Sequence, residues 1–207
     1  MLGLVAVVLS AGLGTRMGQN KGKLPWPGHE NLLHRAVWAA TKWADQVLVV
    51  VGPGEDHLEL QSKTIHVIRN GNPERGLSSS LRVAIGAVQA ATCQTLAWTL
   101  VDQPFVTPED GASVLDHWTK RPSSIRILRP TYNGKPGHPL FIEYPLAVQL
   151  VSELHGDVGL SRIISGRDDY GTFERTIVGR PLPSFDIDKP SDYQQALRWL
   201  AWNPGMV

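Results

Sequence analysis

Short apolar runs alternate with amphipathic segments along the first half of the chain. Residues 4–9 form an apolar, valine-rich run, and 47–51 and 96–101 are similar. Runs of this length bounded by turn residues predict strands buried on both faces. Residues 64–68 predict another strand. Between these, 31–43 carries apolar residues at 32, 33, 36, 37, 40 and 43, which is helical spacing. Residues 55–61 predict a short helix, and 78–92 a long one with Leu81, Ile85 and Val88 on one face. Thr107-Pro108-Glu109-Asp110 combines an N-cap with proline at the first helical position, opening a helix to about residue 117. Strands and helices alternating with short connections predict an α/β fold: a three-layer α/β/α sandwich around a mostly parallel, Rossmann-like sheet. Such sheets bind ligands beyond the carboxyl ends of their strands. That singles out three places, from Ser10, from Asn70 and from Asp102.

The second half is less regular. Residues 124–128 and 138–142 predict strands, separated by the glycine- and proline-rich stretch 129–137, long enough for a functional arm. Helices are expected at 145–154, 160–164 and 190–199, a strand at 172–178, and a short extended piece at 185–188. No repeat, linker or low-complexity run interrupts the chain, so one domain over 1–207 is expected.

Composition narrows the class. The chain has 207 residues, 42% hydrophobic and 19% charged, with a net charge of +1. That is ordinary globular composition with no basic excess to recommend nucleic acid as a partner. The single cysteine, Cys93, excludes an internal disulfide and suits a reducing, cytoplasmic setting. It sits in an alanine-rich helical stretch, as a buried bystander rather than a nucleophile. No membrane span or signal peptide is evident. Of seven tryptophans, Trp38, Trp43, Trp98, Trp118 and Trp199 fall in apolar-patterned segments and are assigned to packing; Trp26, beside Pro25, is placed to face a ligand.

The first strand runs into Ser10-Ala11-Gly12-Leu13-Gly14-Thr15-Arg16-Met17-Gly18, followed by Lys21. Glycines at 12, 14 and 18 let the backbone bend and approach a ligand closely. Free N–H groups, an arginine fork and a mobile ammonium suit a polyphosphate. Neither common phosphate motif fits. No Gly-Lys-Ser or Gly-Lys-Thr is present for a Walker loop, and the dinucleotide fingerprint fails at Met17. A tight glycine loop with incidental charge is the plainer alternative.

Two acidic positions also stand out. Asp102, at the mouth of the 96–101 strand, either partners a magnesium ion or caps the turn before Pro104. In Asp186-Ile187-Asp188, alternation puts both carboxylates on one side, although Asp188 also suits the cap of the helix from Pro190. Ser78 to Ser80 open a helix, where hydroxyls are caps first of all.

Taken whole, Leu9-Ser10-Ala11-Gly12-x-Gly14-Thr15-Arg16-Met17-Gly18-x-x-Lys21-x-x-Leu24-Pro25 resembles the signature loop of the MobA-like nucleotidyltransferases. These join a nucleoside triphosphate to a phosphate-bearing acceptor and release pyrophosphate. The resemblance runs from about Val5 to Leu197. It implies that Leu9, Ser10, Ala11, Gly12, Gly14, Thr15, Arg16 and Lys21 hold the nucleotide, with Arg16 and Lys21 on its phosphates. Lys23 lies outside the matched pattern. Asp102-Gln103-Pro104 and Asp188-Lys189-Pro190-Ser191-Asp192 match two further family segments, the second imperfectly. They imply Asp102 and Asp188 as ligands of Mg2+, with Asp186 as the alternative second ligand. Arg16, Lys21 and Asp102 are then the catalytic set. The Asn-Pro…Gly…Ser-Leu segment implies base and ribose contacts at Gly76 and Ser80.

Gly137-His138-Pro139 and Gly156-Asp157-x-Gly159 resemble the acceptor side of one branch, the molybdenum cofactor cytidylyltransferases. By that resemblance Gly137, His138 and Asp157 bind the acceptor, a molybdopterin-type phosphate, and a molybdoenzyme is a possible partner. Guanylyl-transferring relatives read Leu-Ala-Gly-Gly where this chain reads Leu9-Ser10-Ala11-Gly12. The Ala11 methyl narrows the space beside the base and so favours CTP. A sugar-phosphate nucleotidyltransferase and a non-catalytic nucleotide- or cofactor-binding chaperone are the alternatives.

Overall fold

The structure is a computed structural model describing residues 3–12, 14 and 17–202. Among the described residues, eight strands form one sheet: β1 (Leu4–Leu9), β2 (Gln46–Val51), β3 (Ile65–Arg69), β4 (Thr95–Leu100), β5 (Ile127–Tyr132), β6 (Lys135–Pro136), β7 (Leu140–Glu143) and β8 (Tyr170–Glu174). Six α-helices accompany them: α1 (Leu32–Ala40), α2 (Leu77–Ala87), α3 (Pro108–Lys120), α4 (Tyr144–Glu153), α5 (Ser161–Ile164) and α6 (Pro190–Trp202). The sheet order is β3-β2-β1-β4-β7-β5-β6, with β8 on the other edge of β5. Strands β1 to β4 are mutually parallel, while β7 runs antiparallel between β4 and β5.

The valine-rich strands produce the layering directly. Leu4, Ala6 and Val8 of β1, with Val47, Val49 and Val51 of β2, pack with Val37 and Trp43 on the α1 side, Val114 and Trp118 of α3, and Leu200 of α6. The alternate residues Val5, Val7 and Leu9, with Leu48, Val50, Leu96 and Trp98, pack against Leu81 of α2 and Leu146 and Leu150 of α4. Side chains that alternate across a pleat thus feed two cores at once. This is the expected arrangement of helices on both faces of a mostly parallel sheet. Among the described residues, no helix is long and apolar enough to cross a membrane.

Local capping agrees with the sequence grammar. Asn31 caps α1 by accepting from the His34 N–H at 3.0 Å. Thr107 and Asp110 form a reciprocal capping box on α3. Boundaries shift elsewhere. Helix α2 ends at Ala87, and only a three-residue 3-10 turn, Leu58–Leu60, occupies the expected helix at 55–61. Strand β8 lies earlier than expected, because it is placed by parallel pairing with β5 rather than by its own pattern.

The stretch 129–137 is the larger correction. It is a β-hairpin rather than a loop-like arm: β5 continues to Tyr132, turns at Asn133-Gly134 and returns as β6. Both turn residues have positive φ, 52° and 74°, as a two-residue primed turn requires. The Asn-Gly pair was the available signal, obscured by the prolines around it.

The tryptophans also divide differently. Trp43, Trp98 and Trp118 are buried, but Trp38 lies at the surface under Arg35 and Lys42, 5.1 and 5.5 Å from its ring centre. Trp26 is buried edge-on against Phe105, ring centres 5.7 Å apart, and lines neither cavity of the site described below.

Candidate active site

Parallel pairing aligns the carboxyl ends of β1 and β4, with Leu9 opposite Leu100. The chain leaves β1 for β2 on one side and later returns to β4 on the other. The gap above β1 and β4 is therefore a topological switch point, where the sheet offers room for a ligand. A cavity of about 450 Å³ lies there. Leu9, Ser10, Ala11, Gly12, Gly14 and Lys21 line one side of it, and Gly76, Ser80, Asp102 and Asp157 also border it. Thr15 and Arg16 lie outside the described residues.

The residues after β1 are tied down by side chains that motif reading did not identify. Asn20 accepts from the Gly22 N–H at 2.7 Å and donates to both carboxylate oxygens of buried Glu55 at 3.1 Å. Lys23 pairs with the same Glu55 at 3.0 Å, which gives it a structural position rather than a place in the cavity. Across the cavity, buried Asn70 donates to the Ser79 and Ser80 hydroxyls at 2.8 and 2.9 Å. Gly76 has φ +83°, and a Cβ there would strike the Gly156–Asp157 backbone. Only glycine permits that approach. Asp157 accepts from the Leu77 N–H at 3.3 Å, at the start of α2. It therefore stands on the wall of this cavity.

Lys21 reaches across the cavity mouth. Its Nζ lies 2.8 Å from Asp102 Oδ2 and 2.7 Å from Asp188 Oδ1. Burial alone would lower the lysine pKa, but the charges of and hydrogen bonds to Asp102 and Asp188 hold it above its usual 10.5. Both carboxylates reach Lys21. Asp102 turns to Lys21, and Asp192 Oδ2 accepts from the backbone N–H groups of Asp188 and Lys189, each at 3.0 Å. Asp102 Oδ1 is buried with no hydrogen-bond partner among the described residues.

Asp102 therefore retains acceptor capacity beyond what the ammonium satisfies, and both side chains offer only carboxylate oxygen. That chemistry fits a hard divalent cation. Among the described residues, no group of three or more His, Cys, Asp or Glu is arranged to hold a metal ion. An ion here would complete its shell with substrate phosphate oxygens and water, the usual habit of magnesium.

Asp186 does not join Lys21 in these contacts. It accepts from Gln103 Nε2 at 2.8 Å. Burial raises its pKa above the usual 3.8; the Gln103 hydrogen bond opposes this, and the charges of Asp102 and Asp188 reinforce it.

On the far side of Asp188 lies a wider cleft of about 960 Å³. The hairpin residues Asn133 and Lys135, the segment 177–189 and the α6 residues Asp192 and Trp199 line it. Gly137 is buried and His138 half-buried, and neither is among the residues that line it. Arg129 donates to Gly137 O at 3.2 and 3.1 Å, and the His138 Nδ1 lies 2.8 Å from Gln103 Oε1. Burial, then the Arg129 charge, pushes the His138 pKa down to about 3, so its ring is neutral. Cys93 is buried away from both cavities with its thiol pushed up to about 11, as suits a bystander.

Two spaces, one floored by a glycine loop and one open to the hairpin, thus meet at Lys21, Asp102 and Asp188. The arrangement can hold an anionic donor on one side and present a second group from the other.

Comparison with known proteins bears on the family. The MobA-like NTP transferase domain matches residues 6–171. The molybdenum cofactor cytidylyltransferase of Escherichia coli (strain K12) is 28% identical over 93% of this chain and 95% of its own. The probable molybdenum cofactor guanylyltransferase of Mycobacterium avium (strain 104) is 34% identical over 51% of this chain and 53% of its own. The crystal structure of Rv0371c from Mycobacterium tuberculosis H37Rv shares the fold, with a TM-score of 0.77 and 24% identity over 94% of this chain and 97% of that one. Its manganese complex superposes with a TM-score of 0.74. Homologues are nucleotidyltransferases, and the match spans most of the chain, from the first strand through the acidic turn after β4 and into β8: the protein belongs to the MobA-like NTP transferase family.

Proposed function

We propose that this nucleotidyltransferase moves CMP from CTP to the phosphate of a molybdopterin-type acceptor, with release of pyrophosphate. The observation that carries the reading is Lys21 held between Asp102 and Asp188 at the junction of the two cavities. The donor triphosphate belongs in the cavity after β1. There Gly12 and Gly14 leave the backbone accessible, Ser80 and Gly76 border the nucleoside end, and Ala11 narrows the base site. The acceptor belongs in the wider cleft, where Lys135 and Lys189 supply positive charge and Phe185 and Trp199 supply aromatic surface. This moves the acceptor site away from Asp157, which borders the donor cavity, and from Gly137 and His138, which support the hairpin.

An oxygen of the acceptor phosphate forms a bond to the α-phosphorus of CTP. The bond from that phosphorus to the β-bridging oxygen breaks, and its electron pair leaves with pyrophosphate. No covalent enzyme intermediate is needed, so the protein's work is positioning and charge stabilisation. Lys21 supplies positive charge as pyrophosphate forms, and Arg16 is assigned the same task from its place in the sequence motif. Asp102 and Asp188 are the residues that would hold Mg2+, which when bound neutralises phosphate charge. The manganese complex of Rv0371C supports a divalent ion in this family.

The test is pyrophosphate release from purified protein with Mg2+, offering CTP, GTP, UTP and ATP, each alone, with molybdopterin and with a panel of sugar phosphates. Release confined to CTP with molybdopterin is expected. Turnover with GTP instead would overturn the role of Ala11, and turnover only with sugar phosphates would overturn the acceptor. Activity unaffected by EDTA would remove the metal.

A further inference from the structure

Beside the acceptor cleft, three polar side chains from distant parts of the chain join in a line. His138 precedes β7, Gln103 follows β4 and Asp186 precedes α6. Gln103 stands between the other two, its Oε1 2.8 Å from His138 Nδ1 and its Nε2 2.8 Å from Asp186 Oδ1. The amide geometry fixes the direction. Gln103 Nε2 donates to Asp186 Oδ1, which leaves the amide oxygen, an acceptor only, facing the histidine. The imidazole therefore carries its proton on Nδ1 and donates it to Gln103.

Each end of this line is anchored. Next to His138, the Gly137 carbonyl accepts both Arg129 contacts, and a Cβ at Gly137 would collide with the Tyr132 ring. The Tyr132 hydroxyl donates to His138 O at 3.2 Å. These contacts bind His138 to the hairpin whose Asn133 and Lys135 line the cleft. At the other end, Ile187 is fully buried and its N–H donates to Asp102 O at 2.9 Å. Asp188, one residue further, meets Asp102 on Lys21.

We infer that His138 and Gln103 are positioning residues, which hold the Asp186–Asp188 segment so that Asp188 converges with Asp102. The histidine acts through its Nδ1 donor and the fixed amide, not by touching substrate. The inference rests on the proposed metal role of Asp102 and Asp188, but not on the identity of the acceptor. If Gln103 loses its donor, Asp186 loses the partner that fixes it beside two other carboxylates, and the segment is free to shift away from Asp102. A buried polar group left unmet at position 103 corresponds to roughly a 5- to 150-fold effect on an equilibrium.

Three variants separate this from other roles. His138→Leu removes the donor. His138→Asn keeps an N–H near the Nδ1 position but removes the imidazole. Gln103→Glu keeps an acceptor for His138 and removes the donor to Asp186. Mn2+ affinity, followed by the free-ion EPR signal with CTP present, is measured beside kcat and KM for pyrophosphate release and beside thermal melting. His138→Leu and Gln103→Glu should each weaken Mn2+ binding and lower kcat by about tenfold or more, with little change in KM for CTP. His138→Asn should stay within about threefold of wild type on both readouts, which a histidine that binds substrate or carries a proton through its other nitrogen would not permit.

Asparagine as impaired as leucine would overturn the inference, as would wild-type Mn2+ affinity in Gln103→Glu. Should the leucine variant fail to fold, the other two still decide. A wild-type protein that binds no Mn2+ at all would remove the metal reading and this inference with it. Unchanged Mn2+ affinity across all variants would remove this inference alone.

Discussion

Replacing Lys21 by methionine tests the centre of the site. The substitution keeps the side-chain length and removes the ammonium. Asp102, with 21% of its side chain exposed, and Asp188, with 49%, then share a site with no cation from Lys21 between them. One oxygen of Asp102 already lacks a partner among the described residues, and the other would lose its 2.8 Å contact. Leaving a largely buried acceptor unmet costs about 1–3 kcal/mol. For a chain of this size that corresponds to a fall in melting temperature of roughly 2–12 °C.

A divalent ion should reverse that loss, because it can take the place of the ammonium. An ion present at about 100 times its Kd would return about 2.7 kcal/mol. The assay is calorimetric melting of both proteins in EDTA and again in saturating Mn2+. Lys21→Met should melt lower in EDTA and gain more from Mn2+ than wild type. Its turnover should nevertheless fall by about 10²-fold or more, for want of positive charge against the leaving pyrophosphate. The pH dependence has a definite sign. Because the folded pKa of Lys21 is raised, the stability it contributes is complete below 10.5 and is lost as pH climbs through the folded value. The melting difference should therefore be flat from pH 7 to 9 and narrow above 10.5. Equal melting in EDTA with no extra gain from Mn2+ would refute the arrangement, and wild-type turnover would remove Lys21 from the chemistry.

Three further outcomes follow from other parts of the molecule. Asp110 is fully buried and takes Arg175 at 2.7 Å and Arg180 at 2.8 Å as well as its place in the α3 capping box. Asp110→Ala should cost about 3–5 kcal/mol, read by urea unfolding, because two arginines lose their common partner. Ala11→Gly should widen the base site and raise kcat/KM for GTP relative to CTP by about 10- to 200-fold; an unchanged ratio would show that the methyl does not face the base. The His138 pKa lies near 3 in the fold against 6.5 when unfolded. Its contribution to stability is therefore present above pH 6.5 and lost as pH falls toward 3, and His138→Asn should flatten that part of the acid-unfolding profile.

Much of the fold was legible because its local signals agree with its global plan. The valine-rich runs can only be strands buried on two faces, and Thr107-Pro108-Glu109-Asp110 opens a helix whatever surrounds it. The loop after β1 stands out as a compact string of glycines and cations, and its described residues line the cavity beyond β1 and β4. The second half was harder to read. Strand β8 has its register through β5, and the prolines around Asn133-Gly134 mask a hairpin turn that is otherwise plain. The 3-10 turn at Leu58–Leu60 shows the limit of short helical patterns, which cannot nucleate a helix without tertiary support.

The sequence by itself determined the layers, the parallel core, the glycine-rich loop after β1 and the residue types from which the site is made. Only the tertiary structure decided how those residues are paired. Lys21 and Asp188 stand 167 positions apart, and Gln103 and Asp186 stand 83 apart. No local pattern can couple groups so distant, because their meeting is set by the packing of β4 against β7 and of α6 on the sheet. The same packing placed Asp157 on the cavity beyond β1 and β4, set His138 against Gln103 and gave Lys23 a partner in Glu55. A local pattern fixes which way a side chain leaves its own backbone; which partner it finds there depends on the rest of the chain.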